Sequence, residues 1–318
     1  LGVSPISVEA ASTGHDPASV LREANQALHQ AKRRGKGRVE IFDSALRNDA
    51  AQRLRDETDL EQAISTGQFA LHYQPIIDLN TAELTGAEAL VRWHRPNHGM
   101  ILPTHFIPLA EESGLIVDLG RWLLRRACTD AAQWSRTAPA LADSTVSVNV
   151  SARQLIHPRF THDVRAALLD ADLPAHRLSL EVTESILIEE TDPTVAILTA
   201  LRADGVRIAL DDFGTGYSSL SYLQRLPVDT LKIDKSFIAP IRGPAEGTAL
   251  SEVVLKLAQA LDLRTVAEGV ETTAQATALR QMGCEWAQGF ALAPPVPLAE
   301  LEAACETATR AVLSRPQR

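Results

Sequence analysis

Glu88, Asn149, Glu181, the adjacent pair Asp211-Asp212 and Glu268 each follow a short apolar run, and Gln74, Lys232 and Gln288 stand in the same place after other such runs. A lone carboxylate at such a point is an ordinary solvent-facing residue. A polar group at the end of nearly every run would converge on one mouth if the runs are strands of a barrel. Three glutamates, two aspartates and one asparagine in one cavity repel, and their pKa values rise unless cations compensate them. Oxygen donors without cysteine suit Mg²⁺ or Mn²⁺. The Asp211-Asp212 pair is suited to bridging or serving two ions, and a two-metal clamp stabilises the attacking and leaving oxygens of a phosphoryl displacement. Lys232 has several roles open to it. It would orient a water, lower the water's pKa, accept its proton if its own pKa is depressed, or form a salt bridge with a spare carboxylate.

The stretch Asp211-Asp212-Phe213-Gly214-Thr215-Gly216 joins a strand end to a helix expected near Ser218. Its glycines permit a tight turn. It is not a dinucleotide fingerprint, because the third glycine is missing. Alone it reads as a turn; behind an acidic pair it reads as a loop gating a site.

The elements that must hold these residues begin at residue 68. Strands are expected at Phe69–Pro75, Leu84–Leu90, Thr145–Val150, Arg177–Val182, Val206–Asp211, Thr230–Ile233, Thr265–Ala267 and Cys284–Ala287, with helices over 117–134, 161–170, 194–203, 218–225, 247–260 and 273–282. Such βα alternation favours a parallel barrel or an open parallel sheet. Upstream, Asp16 and Pro17 open a helix over 17–34 with an apolar face of Val20, Leu21, Ala24, Ala27, Leu28 and Ala31. The basic run Lys32–Arg38 ends it, as a solvated helix end in preference to a phosphate contact. Short strands are expected at Ile6–Glu9 and Val39–Phe42, and a charged connector helix over 46–66.

The chain has 318 residues, enough for one large domain or two ordinary ones. Its 31 Lys+Arg against 40 Asp+Glu give a formal charge of -9, the wrong sign for wrapping DNA or RNA, though a local basic pocket stays open. No apolar stretch approaches the length of a membrane span, and aromatics at 4% disfavour a lectin-like or jelly-roll core. Cys128, Cys284 and Cys305 are odd in number and far apart, which fits small buried side chains in a reducing compartment. The chain starts at Leu1 without a signal peptide pattern and is expected to be a cytoplasmic piece of a longer protein.

Taken together, the motifs resemble those of the EAL-domain family of cyclic di-GMP phosphodiesterases. Glu88-Ala89-Leu90-Val91-Arg92-Trp93 is the name-giving motif. The match continues through Pro96–Pro103, Phe106–Ile116, Asn149-Val150-Ser151, Glu181-Val182-Thr183-Glu184, Asp211–Ser219, Leu231–Asp234, Ala267–Glu271 and Gln288-Gly289-Phe290. The resemblance spans roughly residues 50–300, and the order and number of its motifs make it specific.

This resemblance implies a TIM-like (β/α)₈ barrel with an atypical first strand. It implies metal-dependent hydrolysis of cyclic di-GMP to linear 5'-pGpG by an activated water. The implied ligands of two divalent cations, Mg²⁺ or Mn²⁺, are Glu88, Asn149, Glu181, Asp211, Asp212 and Glu268, with Ca²⁺ expected to inhibit. Lys232 would assist the water, and Glu184 would hold the Asp211–Tyr217 loop. Gln74, Arg92, Asp234, Glu271 and Gln288 would surround substrate and metals, and Leu90 and Pro294 would lie beside the dinucleotide. Many members carry a basic residue just before the final proline after Gln-Gly-Phe; here that segment reads Ala291-Leu292-Ala293-Pro294-Pro295. The family often works as a homodimer.

Residues 21–43 resemble the last helix and strand of a GGDEF (diguanylate cyclase) domain whose signature is absent. The expected division is a GGDEF-like remnant over 1–45, the connector over 46–66, the barrel over 67–312 and a tail over 313–318. A GGDEF domain, a sensor and any membrane anchor are expected upstream.

Overall fold

The computed structural model describes residues 2–3, 17–33, 39–42, 44–184, 192–214, 223, 225–243 and 246–313. The chain divides into two compact units, Leu1–Gln62 and Ala63–Arg318. In the first, β1 (Gly2–Val3) pairs in parallel with β2 (Glu40–Ile41), and α1 (Pro17–Arg33) buries Ala27 in a cluster with Phe42. The strand expected over Ile6–Glu9 lies outside the described residues. The helix expected over 46–66, α2, spans Ser44–Thr66.

The second unit is a closed barrel. Its staves in ring order are β3 (Phe69–Asp78), β4 (Leu84–Arg95), β6 (Thr145–Val150), β7 (Leu178–Thr183), β8 (Arg207–Phe213), β9 (Thr230–Ile233), β10 (Arg264–Ala267) and β11 (Trp286–Ala287), which returns to β3. All neighbours run parallel except β3, which is antiparallel to both β4 and β11. The atypical first strand is therefore a hairpin partner of the second: only a short turn separates the two, too short for the crossover a parallel pair requires.

β3 and β4 outrun their expected ends at Pro75 and Leu90. Pro75 interrupts the strand signal, yet pairing continues past it, with a register shift between Ile76 and Ile77. The far part of the hairpin is packed with tilted aromatic rings: Phe69 lies 5.9 Å from Trp93, 5.6 Å from Phe106 and 5.9 Å from Trp122.

Several elements were not foreseen, and four of them flank the barrel's first hairpin and its C-terminus. They are β5 (Gly99–Ile101), α3 (Pro103–Ser113), β12 (Val296–Pro297) and a C-terminal helix, Leu301–Leu313. In α3, Pro103 occupies the first turn, where its missing N–H costs nothing, and Gly114 closes the helix at φ 87°. The helix expected over 218–225 falls largely outside the described residues. The other helices, Ile116–Ala132, Phe160–Ala171, Asp192–Ala203, Ala249–Ala260 and Thr273–Gln281, surround the staves within a residue or two of expectation. The three cysteines are buried and free, and burial pushes each thiol up to about 12. Among the described residues no helix is long and apolar enough to cross a membrane.

Candidate active site

Parallel staves in register bring their C-terminal ends to one level. Asn149 pairs with Glu181 across β6 and β7, Val266 with Lys232 across β10 and β9, and Gln74 faces Glu88 in the hairpin. At that level Lys232, only 1% exposed, is the hub. Its Nζ lies 2.6 Å from Glu181 Oε2, 2.6 Å from Glu268 Oε1, 3.2 Å from Asp211 Oδ1 and 3.6 Å from Glu88 Oε2. Amides complete the ring. Asn149 Nδ2 donates to Glu88 Oε1 at 2.6 Å, and Gln288 Nε2 donates to Glu88 Oε2 at 2.6 Å and to Glu268 Oε1 at 3.1 Å.

The Asp211-Asp212 pair poses a geometric problem, because consecutive strand residues face opposite sides. A bulge solves it. The β8–β9 register passes from Leu210↔Leu231 to Phe213↔Ile233, so two aspartates stand against the single Lys232. Asp212 adopts φ 54°, a left-handed conformation that aspartate tolerates better than most residues. Ligand oxygens of Asp211, Asp212 and Glu268 consequently lie within 4.8 Å of one another.

Charge in the cluster does not balance. Burial lowers the charged form of Lys232, but Asp211, Glu181, Glu268 and Glu88 outweigh it and hold the ammonium well above its usual range. Among these carboxylates the lysine is held in its charged form. One ammonium does not satisfy all its neighbours. Burial pushes Glu181 well up and Glu268 up to about 8, and burial with the adjacent Asp211 raises Asp212. Only Glu88 is lowered: Lys232, Gln288 and Asn149 together overcome its burial. A buried all-oxygen donor set with unbalanced negative charge suits hard divalent cations.

Glu184, at the end of β7, accepts the Gly214 N–H through Oε2 at 3.0 Å, tying down the start of the loop after the aspartates. Thr215–Tyr217, the rest of that loop, lies outside the described residues. Gln74 donates to the Ala293 carbonyl at 3.0 Å, fixing the loop that carries exposed Pro294. Leu90 and Arg92 continue the Glu88 face of β4 outward. Arg92 is buried, with Nη1 bonded to the Val91 carbonyl at 2.9 Å.

Asp234 and Glu271 stand outside the hydrogen-bonded ring around Lys232. Asp234 caps the short helix Lys235–Ile238, accepting the Ser236 N–H at 2.9 Å, and its charge adds to burial and Asp211 in raising Asp212. Glu271 is exposed, and its backbone N–H bonds Gln275 Oε1 at 2.8 Å. One rim residue was missed. His72 faces Leu90 across the hairpin, and burial and Arg92 lower its pKa. Its signal was the two-residue period from Gln74, which puts both side chains on the mouth side.

Comparison with known proteins agrees with this geometry. The EAL domain family matches residues 57–295. Two curated proteins of Pseudomonas aeruginosa are similar. The bifunctional diguanylate cyclase/cyclic di-GMP phosphodiesterase MucR is 42% identical over 89% of this chain and 41% of its own length, and the cyclic di-GMP phosphodiesterase NbdA is 43% identical over 91% and 37%. The chain thus spans about two fifths of the length of these relatives. The solved PaMucR phosphodiesterase in complex with c-di-GMP superposes with a TM-score of 0.73 at 44% identity, over 78% of this chain and 99% of that one. The EAL domain of Mycobacterium smegmatis DcpA gives 0.63 at 40% identity, over 76% and 98%. The barrel closed by an antiparallel hairpin, the strand-end carboxylates in motif order and this breadth of match lead to one assignment: the chain belongs to the EAL-domain family.

Proposed function

We propose that this chain hydrolyses one phosphodiester bond of cyclic di-GMP, giving linear 5'-pGpG and lowering the level of that messenger. The observation that carries the reading is the buried cluster in which Lys232 meets Glu88, Glu181, Asp211 and Glu268 beside Asp212, with too much negative charge for one ammonium. The names of MucR and NbdA and the c-di-GMP bound to PaMucR support the substrate. Glu88, Asn149, Glu181, Asp211, Asp212 and Glu268 would hold two divalent cations, Mg²⁺ or Mn²⁺, which when bound supply charge neutralisation for the phosphate and activation of the attacking water.

The chain's own residues do the remaining work. Lys232, a positioned cation, donates hydrogen bonds to the water or to the developing negative charge. Asn149 and Gln288 orient Glu88, and Gln288 also orients Glu268. Glu184 restrains the loop after Asp212, while Gln74, Leu90, Arg92 and Pro294 border the bound nucleotide. Asp234 and Glu271 are kept as outer supports. The likeness of residues 21–43 to the end of a GGDEF domain, and the double activity in MucR's name, support a GGDEF domain upstream in the longer protein. A homodimer belongs to the same reading and is checked by sedimentation.

The test is chromatography of cyclic di-GMP incubated with purified protein and Mg²⁺ or Mn²⁺. Appearance of pGpG is expected; binding without pGpG rejects the enzyme and leaves a receptor on the same fold. With Ca²⁺ alone, larger and looser coordination misplaces the water, and turnover is expected to fall to background. Robust turnover with Ca²⁺ would count against the two-cation geometry.

A further inference from the structure

The loop that leaves β11 carries an aromatic ring to which the reading above gives no task. Phe290 is 70% exposed, and among the described residues it is the only aromatic on the surface to that degree; the other strongly exposed apolar side chains are aliphatic. A single exposed apolar residue is ordinary. This one differs in how it is held and where it stands.

The loop is rigid. Val270 N–H donates to the Gln288 carbonyl at 3.1 Å, and Ala291 N–H donates back to the Val270 carbonyl at 2.9 Å. Leu292 and Ala293 N–H groups both donate to the Gly289 carbonyl at 3.0 Å. Any Cβ at Gly289 would collide with the Val270 backbone, so the turn is set by close approach. Leu292 and Ala293 are buried anchors, and Gln74 grips the Ala293 carbonyl at 3.0 Å. The loop therefore buries Leu292 and Ala293 and leaves the Phe290 ring in solvent.

Location completes the argument. Gln288 touches Glu88 and Glu268 at the centre of the site. Two residues of chain reach at most about 7 Å, so the Phe290 backbone lies within that distance of the Gln288 backbone, beside the mouth. The proposed substrate has two phosphates for the centre and two purines that must lie outward of it. A fixed, solvent-exposed phenyl face is a surface on which a purine stacks, and stacking on it needs no ordering of the loop at the moment of binding. We propose that Phe290 is a stacking platform for one guanine of the cyclic dinucleotide. The inference rests on the phosphodiesterase reading and adds a substrate-binding residue to it.

The test is steady-state kinetics with cyclic di-GMP for the wild type, Phe290→Ala and Phe290→Trp. Loss of a base–aromatic stack raises KM by about 5- to 150-fold. Because the stack holds substrate and transition state alike, kcat stays within about twofold. Phe290→Trp, which keeps an aromatic face, restores KM to within a few-fold of wild type. An unchanged KM in Phe290→Ala overturns the proposal. So does a KM for Phe290→Trp as high as for Phe290→Ala, or a fall in kcat with KM held, which would mark a loop role. If the wild type binds cyclic di-GMP without turnover, the enzyme reading fails alone and Kd is compared in place of KM. If it neither binds nor hydrolyses it, both readings fall together.

Discussion

Lys232 is the residue on which the site turns, and burial makes its role measurable. An ammonium with four carboxylates within 4 Å neutralises charge that the barrel has taken out of water. Lys232→Met keeps the stem and removes the charge. Turnover of cyclic di-GMP is expected to fall by roughly 10²–10⁴-fold, the usual cost of removing a positioned acid–base or charge-stabilising group. Without metal, the variant should also melt below wild type, because its carboxylates are buried without a cation. Added Mg²⁺ should recover the melting temperature and leave turnover low. Near-normal turnover would reject the assigned role. Glu88→Gln is the companion. It keeps one oxygen, enough for either Asn149 or Gln288 but not both, and loses the charge; a comparable loss of turnover is expected. These residues were legible because each ends an apolar run. The protonation state of Lys232 was not, since it depends on how many carboxylates the register delivers to one nitrogen.

At the scale of elements, the β8–β9 bulge and the bond from Gly214 to Glu184 do together what no single side chain does. The bulge turns two consecutive aspartates to one mouth. The Glu184 carboxylate then holds the next peptide, and Gly214 takes φ 96°, where a side chain is strained. Glu184→Ala removes that acceptor without touching a proposed ligand. Activity and apparent Mg²⁺ affinity are expected to fall by about 10–100-fold, as for partners that orient metal ligands. Glu184→Gln keeps an oxygen acceptor and should lose markedly less. Equal losses in the two variants would show that charge, not the hydrogen bond to Gly214, is what matters. The staves themselves were readable from alternation in runs such as Thr145–Val150 and from the turn residues between them. The bulge was hidden, because a period-two pattern has no mark for one extra residue. β12 escaped because it is two residues long and contains Pro297, and α3 because Pro108 sits inside its pattern.

For the whole molecule, the buried carboxylates of the site are expected to cost stability that a bound cation restores. Glu268 is raised from 4.5 to about 8 by burial, so without metal the folded state holds a proton that the unfolded chain releases near 4.5. Between those values the native state binds more protons, and stability must fall as pH rises. The contribution is intact below about 4.5 and lost by the time pH passes 8. Glu181, also raised, acts in the same direction. Glu88, lowered, contributes above its unfolded pKa and is constant across this window. His72, lowered, works the opposite way below 6.5 but is common to any variant elsewhere in the site. Comparing wild type with Glu268→Gln therefore isolates one carboxylate. The melting temperature of chelator-treated wild type is expected to drop by roughly 5 °C more than that of Glu268→Gln between pH 5 and pH 8. Saturating Mg²⁺ or Mn²⁺ should remove most of the difference at pH 8, because a ligand at 100 times its Kd adds about 2.7 kcal/mol to the folded state. Cation binding should also release protons, most strongly below pH 8, measurable calorimetrically in buffers of different ionisation enthalpy. Parallel melting curves for the two proteins would mean that Glu268 carries no such proton and that the cluster is balanced without cations.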